Sequence, residues 1–171
     1  LVIECTRSWY APRYVELRAA AEDEEALQEV AERFAATCGS GNAPTVEEIP
    51  IVIANARAAA SAEDWESAEL FANAVLETDP RQPEALLYLG IARGAQGDLD
   101  GAEEALLMAV QAAPDLYDAW YNLGALSMNR GDAQSAIGAY RESLRIRPGN
   151  HAVLYQLGRA CEAAGDLAAA L

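Results

Sequence analysis

The sequence predicts an all-α fold, a row of antiparallel helix pairs repeated along the chain. Three observations carry this. The first is a period: Pro80, Pro114 and Pro148 recur every 34 residues, as do Gly90, Gly124 and Gly158, and Gly97, Gly131 and Gly165. Leu89, Leu123 and Leu157 keep the same step, as do Asp98, Asp132 and Asp166, while Ala68, Ala102, Ala136 and Ala170 extend it over four units. Several position classes sharing one step of this size mark an array of supersecondary units. The second is a stripe: Trp120, Leu123, Gly124 and Ser127 fall at i, i+3, i+4 and i+7, one face of a helix. The third is punctuation. Gly131 suits the positive φ that ends a helix, Asp132 suits the cap that starts the next, and Pro148 cannot continue one.

Composition agrees and narrows the function classes. Of 171 residues, 52% are apolar by a broad count, yet the mean hydropathy is −0.04, because much of that count is alanine. Small residues at this density fit helices packed at close range. The apolar content is too high for a disordered acidic tail. No run of 18 apolar residues occurs, so no membrane span is expected. The chain has 12 arginines, no lysine and 27 acids, a net charge of −15. Like charges repel, so binding to a phosphate backbone is not expected. The missing lysine reads as a high-GC genome effect and the source as bacterial.

Residues 1–48 lie outside the 34-residue register. Pro12 suits the first turn of a helix beginning near Ala11. Val15, Leu27, Val30 and Phe34 give a partial helical stripe through about Thr37. The acidic run Glu22–Glu25 either starts a second helix or forms a solvated face. The loop Cys38–Pro44 closes this region, placing a boundary after residue 44. Residues 1–44 are either a capping helix pair for the array or the edge of an upstream region whose last strand is Leu1–Cys5; the cap is favoured. Leu1–Cys5 is too short for a signal peptide, and Leu167–Leu171 stops inside an apolar pattern. Both ends therefore read as cut, the chain being part of a larger protein.

The array occupies residues 45–171, with units 49–82, 83–116 and 117–150 and a partial unit 151–171. Thr45 and Glu48 have capping-box spacing, with Pro50 leaving the exact start open. In the third unit Ala136, Tyr140, Ser143 and Leu144 mark the inner face of the second helix. Arg141, Arg145 and Arg147 sit near its C-terminus, where positive charge complements the dipole. Trp120 and Tyr140 are each expected to contribute roughly 2–3 kcal/mol by burial.

This pattern resembles the tetratricopeptide repeat, whose signature is Trp, Leu-Gly, Tyr, then Ala, Phe, Ala and Pro at fixed positions of its unit. The third unit matches with Trp120, Leu123-Gly124, Ala136, Tyr140 and Pro148, and departs at Ser127 and Ser143. The second matches with Leu89-Gly90, Ala102, Ala109 and Pro114, but has Leu86 for Trp and Arg93 for Tyr. The first is degenerate, with Val52, Asn55-Ala56, Ala68 and Pro80. The stub keeps Leu157-Gly158 and Gly165-Asp166. The resemblance implies a right-handed superhelix, an α-solenoid, in which stacking of neighbours supplies the stability. It leaves an open apolar flank at Leu154, Leu157 and Leu167, a surface for another subunit or for self-association.

The resemblance also implies a concave face lined by the first helix of each unit. The residues it places there are Arg57 from the first unit; Glu84, Leu87, Tyr88 and Ile91 from the second; Asp118, Tyr121, Asn122, Met128 and Asn129 from the third; and Tyr155, Gln156 and Arg159 from the stub. Tyrosines combine contact area with a hydroxyl, which suits a peptide ligand. Asn122 and Gln156 suit pairing with its backbone. Two specialised uses within the family do not match. The clamp for a C-terminal carboxylate needs Lys, Asn and Arg where this chain has Ile53, Arg57, Tyr88, Asp118 and Asn122. The asparagine ladder of glycosyltransferase-linked arrays reads Ala54, Tyr88, Asn122, Gln156 here.

Catalytic chemistry is not legible. The single histidine, His151, sits at a unit boundary and reads as a surface residue. No P-loop, G-x-G-x-x-G, G-x-S-x-G or H-E-x-x-H sequence occurs. Cys5, Cys38 and Cys161 lack metal-ligand spacing. Cys161 reads as a small buried hydrophobe, and Cys5 and Cys38 as a pair only in an exported protein. The odd count favours a reducing, cytoplasmic setting, with the periplasm or a membrane-bound complex as alternatives. Glu103-Glu104 reads as a solvated outer face. The expectation is a non-enzymatic scaffold, without cofactor or metal, that holds a peptide or helix of a partner protein in its groove. The alternative is the helical accessory region of a larger enzyme such as a transferase.

Overall fold

The computed structural model describes residues 43–165. Among the described residues the regular structure is all helix: α1 (Ile49–Ser61), α2 (Trp65–Thr78), α3 (Pro83–Gln96), α4 (Leu99–Ala112), α5 (Tyr117–Asn129), α6 (Ala133–Ile146) and α7 (His151–Ala163). The expectations for Ala11–Thr37, Cys5, Cys38 and Leu167 lie outside the described residues.

The 34-residue step sets where the helices start. First helices begin at Ile49, Pro83, Tyr117 and His151, and second helices at Trp65, Leu99 and Ala133. Each second helix is capped by an aspartate in register. Asp64, Asp98 and Asp132 accept from the amides of Ser67, Gly101 and Ser135. Asp64 fits the period too, although the sequence reading did not single it out. The stops are equally local. Asp79, Ala113 and Arg147 each precede a proline, which disfavours the helical region, and they take φ of −127°, −136° and −129°. Between the two helices of a pair, Gly97 and Gly131 adopt φ of +90° and +80°. In the degenerate first pair Glu63 holds that place at φ +57°, where a side chain costs roughly 1 kcal/mol.

The chain forms two compact units, Leu1–Pro80 and Arg81–Leu171. In the first, α1 and α2 pack together with Val52, Ala56, Ala68, Phe71 and Val75 buried. Thr78 Oγ1 donates to the Pro44 carbonyl and so ties the preceding loop to α2. Half of the expected capping box forms: the Glu48 carboxylate accepts from the Thr45 amide at 2.7 Å and its hydroxyl at 2.9 Å. The helix begins at Ile49, with Pro50 in its first turn.

In the second unit α3 pairs with α4, α5 with α6, and α7 packs on α6. The predicted close approaches are present. A Cβ on Gly90 would lie 2.6 Å from Leu106 Cγ, and one on Gly124 would lie 2.5 Å from Tyr140 Cε1. Tyr140 and Ser143 are buried, with Leu144 partly buried against them. Trp120 departs from expectation. It is half-buried, with its indole N–H donated to the Pro114 carbonyl at 3.0 Å. Ala119, Leu123 and Leu126 take the buried face of α5 instead. A Trp that keeps its N–H on a loop carbonyl cannot turn its whole ring into the core. Leu154, at the equivalent place in α7, is 46% exposed.

The helix pairs are pinned by polar contacts between repeats. Arg130, capping α5, bonds both Asp100 and Glu103 of α4. Glu103 is therefore an ion-pair partner rather than merely solvated, while Glu104 is exposed. Arg147 lies over the Tyr117 ring at 4.2 Å, so it does more than complement a helix dipole. Asn150 caps α7 through its Oδ1 and donates its amide to the Tyr117 hydroxyl at 2.6 Å. Cys161 is free and fully buried, and His151 is exposed at the start of α7. No described helix is long and apolar enough to cross a membrane.

Candidate partner-binding face

The candidate face is best defined in the second unit, on the first helices α3, α5 and α7. Equivalent repeat positions carry Leu87, Tyr121 and Tyr155, and, one residue on, Tyr88, Asn122 and Gln156. Exposure along the first of these rows rises steeply. Leu87 is 3% exposed, Tyr121 is half-buried, and Tyr155 is 67% exposed. Leu87 is thus a correction to the lining set. Ala85, Leu86, Leu87 and Leu89 are all buried, so α3 is apolar around most of its circumference and turns its fifth position inward. Tyr88 and Ile91 remain half-buried on that helix, as do Asn122 and Met128 on α5 and Gln156 on α7; Arg159 is exposed. Asp118 and Asn129 are exposed and Glu84 is half-buried, its carboxylate accepting from Gln82 at 2.7 Å. Arg57 is exposed on α1, in the first unit.

One residue of a second helix packs behind Tyr121. Tyr140 of α6 has a buried ring, 1% exposed overall, and its centroid lies 6.0 Å from that of Tyr121 at a tilt of 48°. Burial pushes its phenol up to about 12; the neighbouring Tyr121 adds to the rise, and Arg159 opposes it. The phenol holds its proton throughout the physiological range and can donate. The sequence placed Tyr140 on the inner face of its helix, and there it is buried; its ring contact with Tyr121 was not foreseen.

The polar side chains of the face are held by their own helices. Asn122 Nδ2 donates to the Asp118 carbonyl at 2.7 Å, which commits one donor that was expected to meet a ligand backbone. Arg159 Nη1 donates to Gln156 Oε1 at 3.4 Å. Among the described residues no group of three or more His, Cys, Asp or Glu could hold a metal ion. The arrangement offers aromatic surface, phenolic hydroxyls, amides and one guanidinium, which suits recognition.

Comparison with known proteins agrees with this geometry. The family description "Tetratricopeptide repeat" is matched twice, over residues 53–117 and 117–150. Among solved structures the chain is similar to MamA, at 24% identity over 71% of each chain with a TM-score of 0.65. It is similar to a mutant O-GlcNAc transferase from Thermobaculum terrenum at 28% identity and a TM-score of 0.64, over 69% of this chain but 23% of that one. It also resembles the first repeat domain of Spaghetti (RPAP3) bound to the HSP90 peptide SRMEEVD, at 15% identity and a TM-score of 0.66, over 72% of this chain and 98% of that one. No curated protein sequence matches significantly. With seven described helices in register and two contiguous matches, the chain is an all-α solenoid that belongs to the tetratricopeptide repeat family.

Proposed function

We propose that the protein is a non-catalytic scaffold that holds a peptide or helix of a partner protein along the face carrying Tyr88, Tyr121 and Tyr155. The observation behind this reading is the row of incompletely buried aromatic and amide side chains on α3, α5 and α7, on helices whose buried faces already form the core. Apolar area of this kind gains from being covered, and tyrosine gains more than most because its hydroxyl finds a partner too. The partner is a protein or peptide rather than a nucleic acid, and the exposed Leu154 adds a surface for self-association. A buried free Cys161 fits a cytoplasmic setting. The test is a pull-down with the 171-residue chain, repeated with Tyr88→Ala plus Tyr121→Ala. The captured partner should bind the double variant at least roughly tenfold more weakly, the scale of two hot-spot truncations, with little change in Tm. Loss of folding with unchanged affinity per folded molecule would sink the reading.

A second reading is favoured by the match to a repeat segment within a much longer transferase: the chain is the recognition region of a larger enzyme. The full open reading frame separates the two, since a catalytic motif beyond Leu171 would favour the second.

A further inference from the structure

The second repeat departs from its neighbours on the outer face of its second helix. Leu107 and Met108 of α4 are 43% and 39% exposed. The 34-residue step puts Asn73-Ala74 at these places in the first repeat and Arg141-Glu142 in the third. The core does not need the pair, because Ala105, Leu106, Ala109 and Val110 already form the buried face of that helix. Adjoining apolar side chains that stay exposed within a charged rim mark a contact surface. The rim here is acidic. α4 carries Asp100, Glu103 and Glu104 and no arginine. Arg130 engages the first two. Glu104, one turn before Leu107 and Met108, is exposed and has no partner among the described residues.

A complementary surface lies on the same chain. α6 has 14 residues, as α4 does, and carries two arginines and one acid. At the places of Glu104 and Leu107 it exposes Gly138 and Arg141, and Arg145 follows one turn on. A helix interior disfavours glycine. A Cβ on Gly138 would meet no described atom within 4 Å, so no contact within the chain asks for one there. The missing side chain leaves a gap that a leucine or methionine can fill. Arginine stems beside it can cover apolar area while their guanidinium groups meet a carboxylate. Residues 117–171 contain five arginines and five acids, so this end of the chain brings no net like charge to the acidic α4.

We propose that the outer faces of α4 and α6 form a two-fold interface with a second copy of this chain. α4 of each protomer lies along α6 of the other, so every contact is made twice. Leu107 and Met108 pack over the gap at Gly138, and Glu104 pairs with Arg141 of the partner subunit. This surface belongs to second helices, apart from the tyrosines of the first helices and from Leu154 on α7. It therefore goes beyond the scaffold reading and does not depend on it.

Sedimentation of the 171-residue chain over a range of concentrations tests this. A monomer–dimer equilibrium is expected between about 1 μM and 1 mM, as for a contact of small area. Leu107→Arg plus Met108→Glu gives α4 the residues that the third repeat carries at those places, so this variant should melt as the wild type does and stay monomeric. Gly138→Gln fills the gap with a good helix former, so it should raise Tm and still abolish the dimer. Glu104→Arg should raise the Kd of the dimer about tenfold, because two ion pairs become repulsive. Adding Arg141→Glu should return it to within about threefold of the wild type. Leu154→Arg should leave the dimer unchanged. A wild type still monomeric at about 1 mM overturns the proposal. So does a dimer that survives Leu107→Arg plus Met108→Glu or Gly138→Gln, a charge exchange that restores nothing, or a dimer lost with Leu154→Arg. A monomer that binds a synthetic basic amphipathic helix through Leu107 and Met108 assigns the face to another protein and overturns it as well.

Discussion

The second repeat (α3–α4) and the third (α5–α6) share one backbone plan but divide the work. In the second, the contact across the pair is Gly90 against Leu106; in the third it is Gly124 against the ring of Tyr140. At the next inward position of the second helix, the second repeat has Ala109 where the third has Ser143, both fully buried. Leu86 is buried where Trp120 keeps one edge out on the Pro114 carbonyl. The second repeat is thus an apolar pair that turns even Leu87 inward. The third replaces several of those apolar groups by aromatic or hydroxylated ones, and one of them, Tyr140, lies against Tyr121 of the candidate face. Within a repeat array the plan is fixed by punctuation and close approach, and function is written in substitutions that the plan tolerates.

The largest effect is expected where that plan is tightest. A Cβ on Gly124 would lie within 2.5 to 2.9 Å of three atoms of the Tyr140 ring, which is rigid and buried. A Cβ on Gly90 would meet Leu106 Cγ at 2.6 Å and the Ala102 carbonyl at 3.2 Å. Overpacking of this kind costs about 3 kcal/mol for Gly124→Ala and about 2 for Gly90→Ala, after the gain of about 1 from alanine's helix propensity. In a Tyr140→Ala background, Gly124→Ala should instead stabilise. Chemical denaturation of the four variants checks this. Equal costs at both glycines would show that the aromatic partner is not what separates the repeats.

The next prediction concerns Ser143. Its hydroxyl is fully buried without a hydrogen-bond partner. An orphaned buried polar group costs about 1–3 kcal/mol, so Ser143→Ala, which copies the second repeat, should raise stability by about 1 kcal/mol. The reciprocal Ala109→Ser should lower it by a similar amount. A destabilising Ser143→Ala would mean that the hydroxyl is satisfied in solution and that the two repeats are more alike than their cores suggest.

Why some of this was legible in the sequence follows from range. Asp98 and Asp132 act on amides three residues away, and Pro114 and Pro148 act on the residue just before them, so their positions alone fix helix starts and stops. The same holds for Asp64, which obeys the period as plainly. Tyr88, Tyr121 and Tyr155 were assigned through the repeat position, which states the face of a helix. It does not state how deep neighbouring helices bury that face, and Leu87 and Trp120 were misjudged for that reason. Tyr140 was placed on an inner face, where its ring is indeed buried; that the ring also lies 6.0 Å from that of Tyr121 depends on how α6 packs against α5. No local pattern reports that.

The smallest effect is expected at the helix caps, and it is a pH effect. Asp98 takes one amide, that of Gly101 at 3.0 Å. Asp132 takes the Ser135 amide at 3.0 Å and the Ser135 hydroxyl at 2.6 Å. The second repeat lacks the second of these bonds, because Gly101 has no hydroxyl. The Ser135 hydroxyl, then its amide, hold the Asp132 carboxyl below its ordinary 3.8. A folded-state pKa below the unfolded one means stability that is complete above the unfolded value and is lost as pH falls through the folded one. The group is exposed, so water screens much of it. Asp132→Asn keeps a capping oxygen but cannot titrate. The Tm difference between wild type and Asp132→Asn should therefore be flat at neutral pH and should shrink below about pH 3.8. In Ser135→Ala, carboxyl titration followed by NMR should move Asp132 back up towards 3.8. If Ser135→Ala leaves the titration unchanged, the hydroxyl is not what distinguishes the third repeat's cap, and the contrast between the two pairs rests on their cores alone.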